Sequence, residues 1–310
     1  MTNADVELIL VRQAERAGIA RRSLARAAET GRLVQLRRGV YVDGAVWATL
    51  DPLGGHLLRI RALQAVSPRP LVVSHWSAAA LRSLPVPRRQ LERLHVTVPP
   101  GSGRAIQGVR AHDLPLLDWE VEDVEGVPCT TWARTVLDVA AASSFADGVA
   151  VADAALHGLE PALRGPAKEL LVARWSALPP RRAVNRVPAV LDFADGDAES
   201  PGESVSRVSM HSLGLPRPVL QQVFNDGRGF AGKVDFWFPG PRVIGEMDGR
   251  SKYLDPRLNR SDPARVVYDE KRREDRLRAL VRGFVRWDWA EASTPSLLGA
   301  KLAAAGVRPA

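Results

Sequence analysis

The chain is poor in cysteine and in lysine. Of its 310 residues one is cysteine, Cys129. A lone thiol excludes an internal disulfide framework and a cysteine-built zinc site. The expected role of Cys129 is that of a buried small hydrophobe. No apolar run reaches the about 18 residues that a membrane span needs, so no membrane partner is expected. The opening MTNADVELILVRQAERAG has neither the basic start nor the cleavage site of a signal peptide. A cytoplasmic protein is the expectation. Lys168, Lys233, Lys252, Lys271 and Lys301 are all the lysines among 43 basic residues. Three of them fall between 233 and 271. Lysine can lose its proton or act as a compact point charge, which arginine cannot.

The net charge is +8 and it is unevenly spread. Residues 1–44 carry 8 arginines and 5 acids, residues 45–198 carry 16 basic and 16 acidic groups, and residues 199–310 carry 19 and 14. The excess lies in the two end segments. Basic ends around a neutral middle point to a polyanionic partner, most simply DNA.

The periodicity predicts an amphipathic helix over 5–17 and a second over 20–31, with glycine stops at Gly18 and Gly31. The second helix turns Leu24, Ala27 and Ala28 inward and Arg21, Arg22 and Arg26 outward. RLVQLRRGVYVDG then alternates as a short hairpin with its turn at Arg38–Gly39. Helix, turn, helix and basic hairpin form a winged helix-turn-helix pattern over residues 1–50. Its second helix would enter a major groove, with Arg37 and Arg38 on the wing near phosphates. A small helical cap without a DNA role is the alternative.

Residues 51–195 read as an α/β connector domain. They contain no phosphate loop, nucleophile elbow or metal cluster. A buried strand is expected at 71–73, with Ser74 capping a short helix. Strands are expected at LERLHVTVPPG and GVRAHDLP around a Gly-rich turn, and a β-turn at GVPCTT entering a helix. His75, His95 and His112 stand singly along the chain and read as structural. Proline, basic and then acidic residues over 176–200 suggest a boundary near 195.

The C-terminal segment, 196–310, carries the chemistry. Ser200, Pro201 and Glu203 form a capping-box start to a helix, with Val205, Val208 and Leu213 as its apolar stripe. Strands VLQQVFN and GKVDFWFP follow, and then VIGEMDG. If Gly240–Pro241 is a two-residue turn, Asp235 faces Glu246, with Cβ atoms ~5 Å apart. Glu246 and Asp248 share that face by the two-residue period. Val234, Phe236, Phe238, Val243 and Met247 take the other. Opposed carboxylates repel unless a cation or a proton lies between them. Carboxylate oxygens suit Mg2+, or Mn2+. If the register slips, the acids splay onto a solvated edge. Asp262 and Pro263 begin a helix to about 282 whose Lys271, Arg272, Arg276 and Arg278 could track phosphates. FVRWDW supplies a last strand.

ESPGESVSR, GLPRP, VDFWFP, VIGEMDGRSKY and DEKRREDRLRALVRGFVRW together resemble the PD-(D/E)XK nuclease superfamily, in particular its very-short-patch-repair-type endonuclease-like domains. The resemblance covers about residues 199–290. It implies a restriction-endonuclease-like mixed sheet flanked by helices, with Asp235 and Glu246 on Mg2+ and Glu203 completing the site. The implied reaction is phosphodiester hydrolysis by metal-bound water. The superfamily places a lysine where this chain has Asp248; Lys252 or Lys271 would have to replace it. Residues 8–44, with SHWSAAALRSLPV and PCTTWARTVLDVAA, resemble AbiEi-type antitoxins of toxin–antitoxin systems. That implies a DNA-binding repressor acting at a toxin operon promoter. The chain is thus expected to be a Mg2+-dependent endonuclease or, alternatively, a regulator whose nuclease-like domain does not cut.

Overall fold

The structure, a computed structural model, describes residues 6–101, 105–178, 186–248 and 263–309. It is a mixed α/β protein with three sheets. Two compact units account for the chain: Met1–Ser143 with Leu170–Val184, and Ser144–Glu169 with Asn185–Ala310.

The first unit opens with strand β1 (Ile9–Leu10), helices α1 (Val11–Arg16) and α2 (Arg21–Glu29), and strands β2 (Leu33–Arg37) and β3 (Val40–Asp43). The order β1-β3-β2 makes a small antiparallel sheet. Gly18 and Gly31 end the two helices, and Gly39 turns the hairpin; their φ values are +81°, +75° and +85°. Only glycine adopts such values cheaply. One expectation fails here. Residues 9–10 are a strand, not the middle of a helix, because Ile9 and Leu10 pair with Tyr41 and Val40. The arrangement is that of a winged helix.

Helices α3 (Gly44–Thr49) and α4 (Pro52–Val66) follow, each capped by an aspartate, Asp43 and Asp51. Leu58 and Ala62 of α4 are buried against Val42 and Val40 of the hairpin. The winged-helix module is therefore continuous with the core of this unit. Next come β4 (Val72–Val73), α5 (His75–Leu81), β5 (Leu94–Val98), β6 (Val109–Asp113), β7 (Val121–Val124), β8 (Val127–Thr130) and α6 (Trp132–Ala142). The five strands run in the order β6-β5-β4-β8-β7. The strands flanking the Gly-rich turn are parallel, not a hairpin. The expected turn at 127–130 is a strand, because its residues pair with β7 across a turn at Glu125–Gly126 and Cys129 also pairs with Val73, far away in sequence. Periodicity carries no signal for such a partner.

In the second unit α7 (Phe145–His157), α8 (Pro161–Ala177), α9 (Arg186–Phe193) and α10 (Pro201–Ser212) precede β9 (Val219–Asp226), β10 (Gly229–Phe238) and β11 (Val243–Met247). Helix α11 (Pro263–Arg278), β12 (Gly283–Trp287), α12 (Trp289–Ala292) and α13 (Pro295–Ala304) complete the chain. The chain crosses between the units at Ser143–Ser144 and again inside α8. The sheet order is β12-β11-β10-β9, with β11 and β12 parallel and the rest antiparallel.

Phe236, Phe238, Val243 and Met247 pack on one face with Met210 of α10 and Leu298 of α13. Ile244 packs on the other with Leu277 of α11 and Phe284. Val234 belongs to this second cluster, against expectation. Gln221 in the neighbouring β9 has φ +53°, so regular alternation is interrupted beside it.

Helix α10 inverts its expected amphipathicity. Val205 and Val208 are half-buried, whereas Glu203, Ser204, Ser206, Arg207 and Ser209 are buried. Each polar group has a use. Ser206 Oγ accepts from Trp287 Nε1 at 2.8 Å. Ser209 Oγ donates to the Ala292 carbonyl at 2.6 Å. Arg207 pairs with Asp153 of α7 at 2.6 Å. A buried polar face is tolerable only when satisfied in this way.

Candidate functional site

Two places concentrate the predicted site residues. The first is the winged-helix module. Leu24 fixes α2 in the core and Ala27 and Ala28 flank it, which leaves Arg21, Arg22 and Arg26 on the exposed face. These are the three arginines expected to face outward. Arg38 is exposed at the wing turn. Arg37 is half-buried and donates to the Gln107 carbonyl at 3.4 Å, and burial pulls its pKa down. The two wing arginines therefore differ: Arg37 ties the wing to the 105–108 loop, and Arg38 faces solvent.

The second place is the acidic site of the C-terminal unit. The ladder pairs Phe236 with Gly245 and Phe238 with Val243, so the next pair outward is Asp235 with Glu246, the register expected. The connection itself is longer, with Pro239 to Arg242 outside the strands and Arg242 at φ +57°. The backbone N–H of Met247 donates to Asp235 Oδ2 at 2.8 Å.

Glu203 reaches the same place from α10 and is 5% exposed. Its Oε2 accepts from the Glu199 N–H and from Gln221 Nε2, each at 2.9 Å, and Oε1 accepts from Ser200 Oγ at 2.7 Å. Ser200 Oγ in turn accepts from the Glu203 N–H and caps the helix, whereas the Glu203 carboxylate takes the Glu199 N–H rather than that of Ser200, so the expected capping box is only half formed. Burial, and next the charge of Asp235, push the Glu203 carboxyl up to about 7. Glu203 and Asp235 therefore resist simultaneous ionisation.

Glu246 is buried between two arginines. Arg273 Nη2 donates to Oε1 at 2.7 Å, and Arg286 donates to Oε2 from Nη2 at 2.8 Å and Nε at 3.1 Å. Neither arginine stands out in the sequence. The available signal was Arg286 in FVRWDW, on the strand that pairs with β11 in parallel. Asp248 sits exposed at the end of β11, with its N–H bonded to the Trp287 carbonyl at 2.8 Å. Lys271 is exposed on α11, and Lys252 lies outside the described residues. Among the described residues no three His, Cys, Asp or Glu side chains are arranged to hold a metal ion. Glu246 as placed is a poor ligand for Mg2+, because both its oxygens already accept from guanidinium groups.

The remaining predicted phosphate contacts diverge. Arg272 is exposed, its guanidinium 5.7 Å from the Tyr268 ring centre. Arg276 spends its fork on Asp226, Nε to Oδ2 and Nη2 to Oδ1, both at 2.7 Å. That bond, first of several causes, lowers the Asp226 carboxyl to about 2.

The three histidines that stand apart in sequence meet in the first unit. His95 Nδ1 lies 3.0 Å from His112 Nε2, and the His112 ring stacks on His75 with centroids 3.4 Å apart. Burial lowers both His95 and His112 to about 3, so these two rings are neutral. The parallel β5–β6 ladder and the turn into α5 create it. Cys129 is buried and its thiol is pushed up to about 11 by burial, as expected of an inert side chain. No helix among the described residues is long and apolar enough to cross a membrane.

Comparison with known proteins matches these features at the N-terminus. Residues 5–42, the winged helix with its wing, match a family described as transcriptional regulator, AbiEi antitoxin. Over 256 residues the chain is 28% identical to the uncharacterized protein MT2308 of Mycobacterium tuberculosis (strain CDC 1551 / Oshkosh), covering 78% of this chain and 90% of that one. The same identity and coverage hold for the uncharacterized protein Rv2248 of strain H37Rv. The N-terminal module is thus similar in sequence to AbiEi antitoxin transcriptional regulators.

Proposed function

We propose that the protein is a DNA-binding transcriptional regulator that acts at a promoter, a toxin operon being the natural context for an AbiEi-like module. The observation that carries this reading is the coincidence of the family match with the winged helix, whose second helix exposes Arg21, Arg22 and Arg26. Helix α2 enters the major groove, and Arg38 on the wing meets phosphate. The net positive charge of the N-terminal segment supplies the salt-dependent part of the affinity. Arg272 on the C-terminal unit is a further phosphate contact. The gel-shift titration of the protein on its own upstream DNA tests the reading. Specific binding that is lost when Arg21, Arg22 and Arg26 become Ala supports it; unchanged binding rejects it.

Metal-dependent cleavage is the competing reading, favoured by the Asp235–Glu246 register and by the motif resemblance over residues 199–290. The arginines on Glu246 weigh against it. Plasmid and linear DNA left intact in Mg2+ and Mn2+ would agree with the regulator; cleavage lost on Asp235→Ala would favour the nuclease.

A further inference from the structure

The acids of the C-terminal unit converge, yet the charge that answers Glu246 comes from the chain itself. Arg286 stands directly opposite Glu246 in the parallel ladder of β11 and β12. Arg273 approaches from α11. Both guanidiniums continue to Glu270, Arg273 through Nε and Nη2 at 2.9 Å and Arg286 through Nη2 at 2.5 Å. Two arginines and two glutamates thus close a ring across two strands and a helix. The Glu246 side chain is 9% exposed at its centre. Charge-assisted bonds of this kind are short and directional. Mg2+ needs oxygen ligands at about 2.0–2.1 Å in near-octahedral geometry. To bind Glu246 it would have to share an oxygen that already accepts from a guanidinium, against the repulsion of two neighbouring positive charges.

We infer that Arg273 and Arg286 hold the position of a divalent cation on Glu246, which makes the acid site an ionic tie between sheet and helix rather than a metal centre. A divalent ion bridging strand acids and a guanidinium ring would hold the same elements together. The ring does so with no ion to lose, and it neutralises Glu246, the one carboxylate within β11 itself.

Titration of the full-length chain with MgCl2 and MnCl2 tests this, with melting curves in EDTA and in millimolar metal. The expected result is no shift in Tm and no saturable heat for the unaltered chain. Arg286→Gln, which opens the ring, is expected to lower Tm in EDTA. Saturable binding of one Mg2+ per chain, abolished by Glu246→Gln, would overturn the inference. So would an Arg286→Gln chain that melts with the unaltered one. If that variant does not fold, the metal titration of the unaltered chain decides alone. None of these outcomes touches DNA binding by α2, so the proposed function stands or falls separately.

Discussion

Arg207 of α10 and Asp153 of α7 form a buried ion pair, Nη1 to Oδ2 at 2.6 Å, with side chains 4% and 0% exposed. Arg207 also donates to the Phe193 carbonyl at 2.8 Å. The pair fastens residues 144–169 into the C-terminal unit. Removing one partner of a buried pair strands the other charge, which costs about 3–5 kcal/mol. Arg207→Ala is expected to lose that much stability in urea denaturation. Double replacement of Arg207 and Asp153 by apolar residues should lose less.

The first unit should weaken in acid. His95 and His112 titrate at about 3 when folded, well below the ordinary histidine value of 6.5. Between those values the unfolded chain binds protons that the folded chain refuses. The stability these two neutral rings contribute is therefore complete above 6.5 and is lost as pH falls toward 3. Hydrogen exchange of β5 and β6 between pH 7 and 4 measures it, and His112→Gln should flatten the dependence.

Glu203 tilts the second unit the other way. Its folded pKa of about 7 lies above the ordinary 4.5, so the folded chain holds a proton that the unfolded one releases. The penalty for ionising it grows as pH rises from 4.5 through 7, and stability falls over that window. Glu203→Gln is expected to remove the tilt, read as a smaller loss of protection in α10 and β9 between pH 5 and 8.

Gly245 lies against Trp287. A Cβ there would collide with the indole ring and crowd Phe236, whose Cβ would stand 3.3 Å away. Trp287 is fully buried and its Nε1 is committed to Ser206, so the ring cannot swing aside freely. Gly245→Ala should cost roughly 1–3 kcal/mol, the usual penalty of overpacking. Thermal melts of the variant check it.

Helix α2 sets the salt dependence of DNA binding. Each phosphate contact contributes about 0.9 to the slope of log K against log salt. Replacing Arg21, Arg22 and Arg26 by Ala should lower that slope together with the affinity. Arg276→Ala should leave the slope unchanged, because its guanidinium is bound to Asp226.

Short-range chemistry is what can be read from the order of residues. Gly18, Gly31 and Gly39 ended the helices and turned the wing, because their φ values exclude most other residues. Ser200 and Pro201 started α10, and counting outward from Gly240–Pro241 set Asp235 beside Glu246, a register that holds because the longer connection, Pro239 to Arg242, is centred on the same two residues. Tertiary structure alone decided what those residues meet. Arg273 and Arg286 lie 27 and 40 residues beyond Glu246 and reach it by way of a helix and a parallel strand. Three scattered histidines meet because β5 and β6 run parallel and His75 opens α5 beside them. The serine face of α10 is buried because Asp153, Trp287 and the Ala292 carbonyl satisfy it. Local patterns record the conformation of a few neighbouring residues. The neutralisation of a buried charge depends on partners that only folding brings within hydrogen-bond reach.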